Sequence, residues 1–224
     1  NRIALAAAAA ALALPAVAFA GFTETDPGLF TNIDDRFEAR IRLDGGNSQT
    51  WKTAFWEDTN LLNTSGVHQN VFGNGVTYGF SLTYDAISGL ANLDIAGLNV
   101  SETISLDPGY DLAGLEFFVR SESDGATRVD NLGLSLDGAP AQAVDPLESS
   151  LGEVFVQGPA LYFDEVHTTL EFTGDLTFSW DPGANLQGER FKFSTKILQG
   201  QVIPTPASFA MMGMMLFGGR RRRA

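Results

Sequence analysis

Apolar and polar residues alternate through most of the middle of this chain. Val76, Tyr78, Phe80, Leu82 and Tyr84 alternate with small or polar residues, the period-two pattern of a strand with one buried face. Asn74-Gly75 before this run and Asp85 to Gly89 after it are turn signals. Leu93 and Ile95 then share one side while Asn92 and Asp94 share the other, and Leu98 and Val100 resume after Ala96-Gly97. Further strands are predicted at Thr50 to Trp56, Leu115 to Arg120, Val129 to Leu136, Leu161 to Phe172, Leu176 to Trp180 and Phe191 to Ile197.

No stretch between 45 and 203 sustains a 3.6-residue period. Ile33 to Leu43 reads two ways: Ala39, Ile41 and Leu43 alternate, while Asp34-Asp35 equally suits the start of a short helix. Roughly ten strands over about 180 residues, with turns every 8–12 residues, predict an all-β domain: an antiparallel β-sandwich or jelly-roll-like fold. The 17 Phe residues supply its core.

The two ends follow another pattern. Residues 1–20 carry one charge, Arg2, then an apolar Ala-rich run, Pro15, and Ala18-Phe19-Ala20. A charged start, an apolar stretch and small residues at Ala18 and Ala20 are the marks of a secretory signal peptide cut before Gly21. At the other end Pro204-Thr205-Pro206-Ala207 interrupts the last strand, because Pro has no N–H and a fixed φ. Ser208 to Gly219 is apolar and holds all four Met residues, and Arg220, Arg221, Arg222 and Arg223 follow. Such an Arg cluster stays on the cytoplasmic side of a membrane.

This tail of 21 residues resembles a PEP-CTERM sorting signal, with Pro204-Thr205-Pro206 where Pro-Glu-Pro is typical. The resemblance implies an exosortase-type transpeptidase that acts at the Pro motif and removes the short hydrophobic helix and the Arg cluster. About 12 apolar residues span about 18 Å as a helix, against a hydrocarbon core of about 30 Å. A transmembrane helix here therefore draws on flanking residues or on Arg snorkelling. The other reading of the tail is a peripheral apolar segment whose basic end binds anionic lipid. Three organisational units are expected: 1–20 signal peptide, 21–203 β ectodomain, 204–224 sorting signal.

Within the ectodomain, Val76 to Leu106, Arg128 to Gly138, Phe172 to Pro182 and Arg190 to Leu198 resemble choice-of-anchor family W. That resemblance implies an extracellular domain carried on various surface anchors. It brings no catalytic residues.

Charge sharpens the picture. All 27 acidic residues lie between 21 and 203, whereas Arg2 and Arg220 to Arg223 lie outside, leaving nine of the 14 basic residues. The ectodomain thus carries a net charge of −18. Sequence-independent nucleic-acid binding is not expected, since it relies on Lys and Arg neutralising phosphates. An acidic polymer would be repelled unless a divalent cation bridges the two. The absence of Cys excludes disulfides, Cys-ligated metals and a thiol nucleophile.

Candidate chemistry is sparse. There is no G-x-S-x-G elbow, and His68 and His167 are the only histidines. Each reads as a surface or satisfied polar side chain. A glycoside hydrolase needs two carboxylates about 5–10 Å apart. Asp164, Glu165 and Glu171 are the nearest candidates, with Glu165 and Glu171 on one face if one strand holds both. Calcium takes oxygen ligands from loops, and Asp107, Asp111 and Asp130 lie in Asp- and Gly-rich turns. Those residues are equally the ordinary residues of turns. Trp51, Trp56 and Tyr110 are candidate carbohydrate contacts, whereas Trp180 ends an alternating strand and is expected in the core.

The expectation is an exported, non-enzymatic cell-surface or extracellular-matrix protein with a structural or adhesive ectodomain. No cofactor beyond calcium is implied. Its partners are signal peptidase, the exosortase, the inner membrane in transit and extracellular polysaccharide. The alternatives are a carbohydrate-binding module and a glycoside hydrolase-like enzyme.

Overall fold

The computed structural model describes residues 22–24, 27–44, 50–57, 60–62, 66–69, 71–122, 124–150, 155–184, 186 and 190–203. Ala18 and Ala20, expected to mark a signal cleavage, and Pro204 to Ala207 and Arg220 to Arg223, expected to form a sorting signal, lie outside these.

The described chain is all-β, without a helix. Its strands are β1 (Phe22–Thr23), β2 (Phe30–Asp44), β3 (Thr50–Glu57), β4 (Asn60–Leu61), β5 (Gly66–Gln69), β6 (Thr77–Asp85), β7 (Leu90–Ile95) and β8 (Val100–Ser105). The second half adds β9 (Asp111–Arg120), β10 (Gly125–Leu136), β11 (Gln142–Val144), β12 (Leu147–Ser149), β13 (Val156–Gln157), β14 (Leu161–His167), β15 (Thr169–Trp180) and β16 (Lys192–Val202). No described helix is long and apolar enough to cross a membrane.

The strands form two antiparallel sheets. Sheet A runs β1-β14-β9-β16-β2-β3-β4, with β13 beside β9 and β5 beside β3. Sheet B runs β11-β10-β15-β6-β7-β8, with β12 beside β10. The alternating apolar residues of the two sheets meet. Trp51 of β3 packs 4.4 Å from Phe178 of β15, Phe80 of β6 4.7 Å from Phe193 of β16, and Phe37 of β2 5.1 Å from Tyr84 of β6. Aromatic pairs at such separations add about 0.5–1.5 kcal/mol each beyond the area they bury.

The ambiguous stretch Ile33 to Leu43 is strand throughout. Asp34 and Asp35 precede a bulge, where Ile197 faces Phe37 but Leu198 faces Asp35, so Arg36 is the extra residue. Tertiary pairing on both edges of β2 overrides the local helix-start signal. Beyond the expected strands, β5 puts His68 opposite Trp51. One other reading needs correction. Leu161 to Phe172 is two strands, not one: β14 belongs to sheet A and β15 to sheet B, with Thr168 between them.

Candidate functional site

The outer face of sheet A concentrates charge. On β2, Phe37, Ala39, Ile41 and Leu43 enter the core, so Glu38, Arg40 and Arg42 take the other face. The same alternation turns Lys52, Ala54 and Trp56 of β3 outward, with Lys192, Ser194 and Lys196 of β16 and Glu116, Phe118 and Arg120 of β9. Cross-strand register assembles these side chains into rows. Lys52, Arg42, Lys192 and Arg120 stand directly opposite one another across four strands. The next row is Ala54, Arg40, Ser194 and Phe118, and the third is Trp56, Glu38, Lys196 and Glu116. Six of the nine basic residues between 21 and 203 are thus on one face.

A single carboxylate anchors the middle of this face. Glu38 pairs with Arg40, lies 3.1 Å from Lys192 Nζ, and accepts the Ser194 hydroxyl. Burial acts to raise its pKa, but the Arg40 hydrogen bond, the Lys192 charge and the Ser194 hydroxyl outweigh that and hold it below the usual glutamate value. Lys192 goes the other way. Burial lowers its pKa, Glu38 partly restores it, and the charges of Arg40 and Arg42 lower it again, leaving it at about 8.

Aromatic rings brace the cations. The Arg40 guanidinium lies 4.6 Å from the Trp56 ring centroid and that of Arg42 5.5 Å from it. Lys192 Nζ sits 4.5 Å from the Phe118 ring, which packs 4.8 Å from the exposed Phe155. Cation–π contacts of this kind contribute about 0.5–1 kcal/mol at exposed sites and more when desolvated. Trp56 Nε1 and Arg40 Nε have no hydrogen-bond partner among the described residues. Arg120, at the end of the row, and Arg190 share Glu122, at 3.5 and 3.2 Å.

The carbohydrate candidates separate. Trp51 is fully buried between Phe72 and Phe178, so it is a core residue and not a surface contact. Trp56 is half-buried on the charged face. Tyr110 is exposed at the loop between β8 and β9, with the Arg36 guanidinium 4.2 Å from its ring. Trp180, expected in the core, is half-buried and packs on Phe191.

The calcium candidates do not converge. Asp107 gives its backbone carbonyl to Arg36, Asp111 opens β9, and Asp130 pairs with Arg128 at 2.7 Å. Among the described residues no three acidic or histidine side chains are grouped to hold a metal. The carboxylates proposed for glycoside hydrolysis also part company. Glu165 is on β14 and Glu171 on β15, in different sheets, because the strand expected to hold both is broken at Thr168.

Of the two readings of His167, surface or paired polar side chain, the structure gives a buried one. Its Nδ1 lies 2.9 Å from Asp137 Oδ2, and its Nε2 has no hydrogen-bond partner among the described residues. A depression of ≈ 340 Å³ beside it is lined by Ile87, Tyr110, Asp111 and Thr168. A carboxylate–imidazole pair therefore exists, but among the described residues no hydroxyl is hydrogen-bonded to Nε2 to act as nucleophile. His68 lies 3.1 Å from the Thr53 hydroxyl and 3.7 Å from Glu102.

Neither the Asp137–His167 pair nor the cation row is visible in local pattern. The only local trace of the row is Arg40 and Arg42 at positions i and i+2 of a strand. No model of a known family matches this chain, and no characterised protein matches it.

Proposed function

We propose that this chain is an exported bacterial surface or matrix protein. In this reading signal peptidase cuts after Ala20 and an exosortase-type transpeptidase acts at Pro204 to Ala207. Between the two lies a non-enzymatic β-sandwich of jelly-roll-like character with a structural or adhesive role. The observation that supports it best is the exit of the chain. β16 is hydrogen-bonded to β2 on one side and β9 on the other, and it ends at Val202, two residues before Pro204. A domain tethered there transmits load into the middle of a sheet rather than peeling an edge strand.

Carbohydrate binding is the second reading. It is favoured by Trp56, a half-buried ring on a face of charged side chains. A hydrolase has less support: a depression of ≈ 630 Å³ at the β6–β8 side of sheet B has Asp94 as its one acidic residue.

The test is binding of the full chain, in a non-ionic detergent, to extracellular matrix isolated from the producing cells. Saturable retention, with calcium or with chelator, is expected of an adhesive component. Absence of retention in both conditions contradicts the adhesive role.

A further inference from the structure

The exposed apolar side chains of this domain are not spread evenly. Ile87, Leu90, Tyr110, Val166 and Ile203 are each 43% or more exposed, and all lie at one end of the sandwich. Three connections build that end: β6 to β7, β8 to β9, and the corner between β14 and β15. Backbone hydrogen bonds tie them together, since Ala86 donates to the Thr168 carbonyl at 2.8 Å and Gly109 to that of Ala86 at 3.2 Å. Ile87, Pro108, Tyr110 and Val166 thereby line one depression of ≈ 340 Å³. Single exposed apolar residues are ordinary on a protein surface, whereas a contiguous group of them marks a contact surface.

The chain leaves the domain at this same end. Gly200 of β16 stands opposite Asp111, the neighbour of Tyr110 in sequence, and Ile203 follows three positions on. The Ile203 N–H donates to the Leu29 carbonyl at 2.8 Å, so the backbone is held up to that point. Pro204 to Ala207 come next, then the apolar run 208–219 and Arg220 to Arg223. Four residues span at most about 14 Å. Whatever surface takes up the apolar run therefore stands close against Ile203 and the loops beside it.

We propose that these loops are a membrane-contact surface: in the unprocessed chain Ile87, Tyr110 and Val166 rest in the headgroup region of a lipid bilayer and orient the domain on it. The inference rests on the reading of 204–224 as a sorting signal whose apolar run enters the bilayer. Tyr is favoured at that depth because its ring has an apolar body and a polar tip. The patch alone would not hold a domain with a net charge of −18 between 21 and 203. The tail supplies the anchor, and the short link gives the patch a high local concentration at the surface. Two nearby carboxylates are turned away from the contact. Asp85 accepts the Ile87 N–H at 2.8 Å and the Ser88 hydroxyl at 2.9 Å within its own turn, and Asp137 is taken up by the His167 corner. Asp111 stays beside the depression, so the contact suits zwitterionic headgroups better than anionic ones. Docked this way, the domain presents Pro204 to Ala207 at the bilayer surface.

The experiment uses the full chain in phosphatidylcholine vesicles. The sequence has no Cys, so Ile87→Cys creates a single site for an environment-sensitive nitrobenzoxadiazole label. Val76→Cys is the control: Val76 is 46% exposed and precedes the nine residues of β6, which place it about 30 Å away at the other end of the sandwich. Both variants should keep the wild-type melting temperature, since both side chains are exposed. In vesicle-bound protein the label at 87 should shift to the blue and lose intensity to a nitroxide placed high on the lipid acyl chain, while the label at 76 does neither. Val166→Ser together with Tyr110→Ser should reduce the quenching at 87. Vesicle-bound protein whose label at 87 stays as water-exposed as that at 76 overturns the inference and leaves the sorting-signal reading standing. A blue shift at 87 without nitroxide quenching overturns it in favour of contact with a second copy of the chain. Failure of the full chain to float with the vesicles overturns the inference together with the reading it rests on.

Discussion

Asp137 Oδ2 lies 2.9 Å from His167 Nδ1, and the same carboxylate's Oδ1 accepts the backbone N–H groups of Thr168 and Thr169 at 2.9 Å each. His167 ends the sheet A strand β14, and Thr169 begins the sheet B strand β15. One carboxylate thus holds the point where the chain passes from one sheet to the other. The position depends on the Asp137-Gly138 turn, in which both residues have positive φ, 49° and 72°. That geometry suits a tight hairpin between β10 and β11 and is why Gly follows Asp.

Replacing Asp137 with Ala leaves the buried His167 Nδ1 without its partner and hands two exposed backbone N–H groups to water. Asp137→Ala should lower stability by about 1–3 kcal/mol, the usual cost of an unsatisfied buried polar group. Urea denaturation followed by tryptophan fluorescence measures this, and an unchanged midpoint would show that the corner holds without the carboxylate.

The same carboxylate makes acid stability measurable. Burial acts to raise its pKa, but hydrogen bonds from His167, Thr169 and Thr168 outweigh it, and the value falls from 3.8 to about 2. A carboxyl depressed in the folded state contributes fully above its unfolded value. The contribution is lost as pH falls from about 3.8 through about 2. Wild type should therefore lose stability in that window more steeply than Asp137→Asn, as read by denaturation midpoints at successive pH values. Parallel curves would contradict the assignment.

Trp51 and Trp56 are five residues apart and have opposite roles. Trp51→Ala should cost about 3–5 kcal/mol, as large-to-small changes of buried aromatics do. Trp56→Ala removes a half-buried ring against Arg40 and Arg42 and should cost well under half of that. Paired denaturation curves decide, and equal losses would place both rings in one structural role.

Much of the fold is legible in sequence because burial imposes period two directly on the chain. β3, β6, β7 and β10 follow from alternation and from turns such as Asp137-Gly138. What local pattern does not carry is which strands become neighbours. Lys192 faces Arg42 across 150 positions, so the cation row exists only once β16 inserts between β2 and β9. For the same reason Trp51 looked like a surface ring: an aromatic in a strand reads alike on either face until the opposing sheet supplies Phe178. The break at Thr168 was hidden because apolar residues recur on both sides of it, Leu161 and Phe163 before and Leu170 and Phe172 after, and no Gly or Pro marks the corner.

Alkaline behaviour tests the crowding around Lys192. Its neighbours are Glu38, Arg40 and Arg42 on β2, Phe118, Glu116 and Arg120 on β9, and Lys196 on its own strand. With a folded-state pKa near 8 against 10.5, the folded protein releases a proton that the unfolded chain still holds. Stability should therefore rise from about pH 8 toward 10.5 relative to Lys192→Met. Urea midpoints at pH 7 and 9 check this. A wild-type curve that tracks Lys192→Met would show that Lys192 titrates normally.

The most direct measurement for the account as a whole is the intact mass of this protein recovered from the envelope and extracellular fractions of cells that produce it. The predicted species begins at Gly21, ends within Pro204 to Ala207 with or without a linked group, and lacks the apolar segment and Arg220 to Arg223. A chain recovered inside the cell with both end segments still attached would contradict export and sorting.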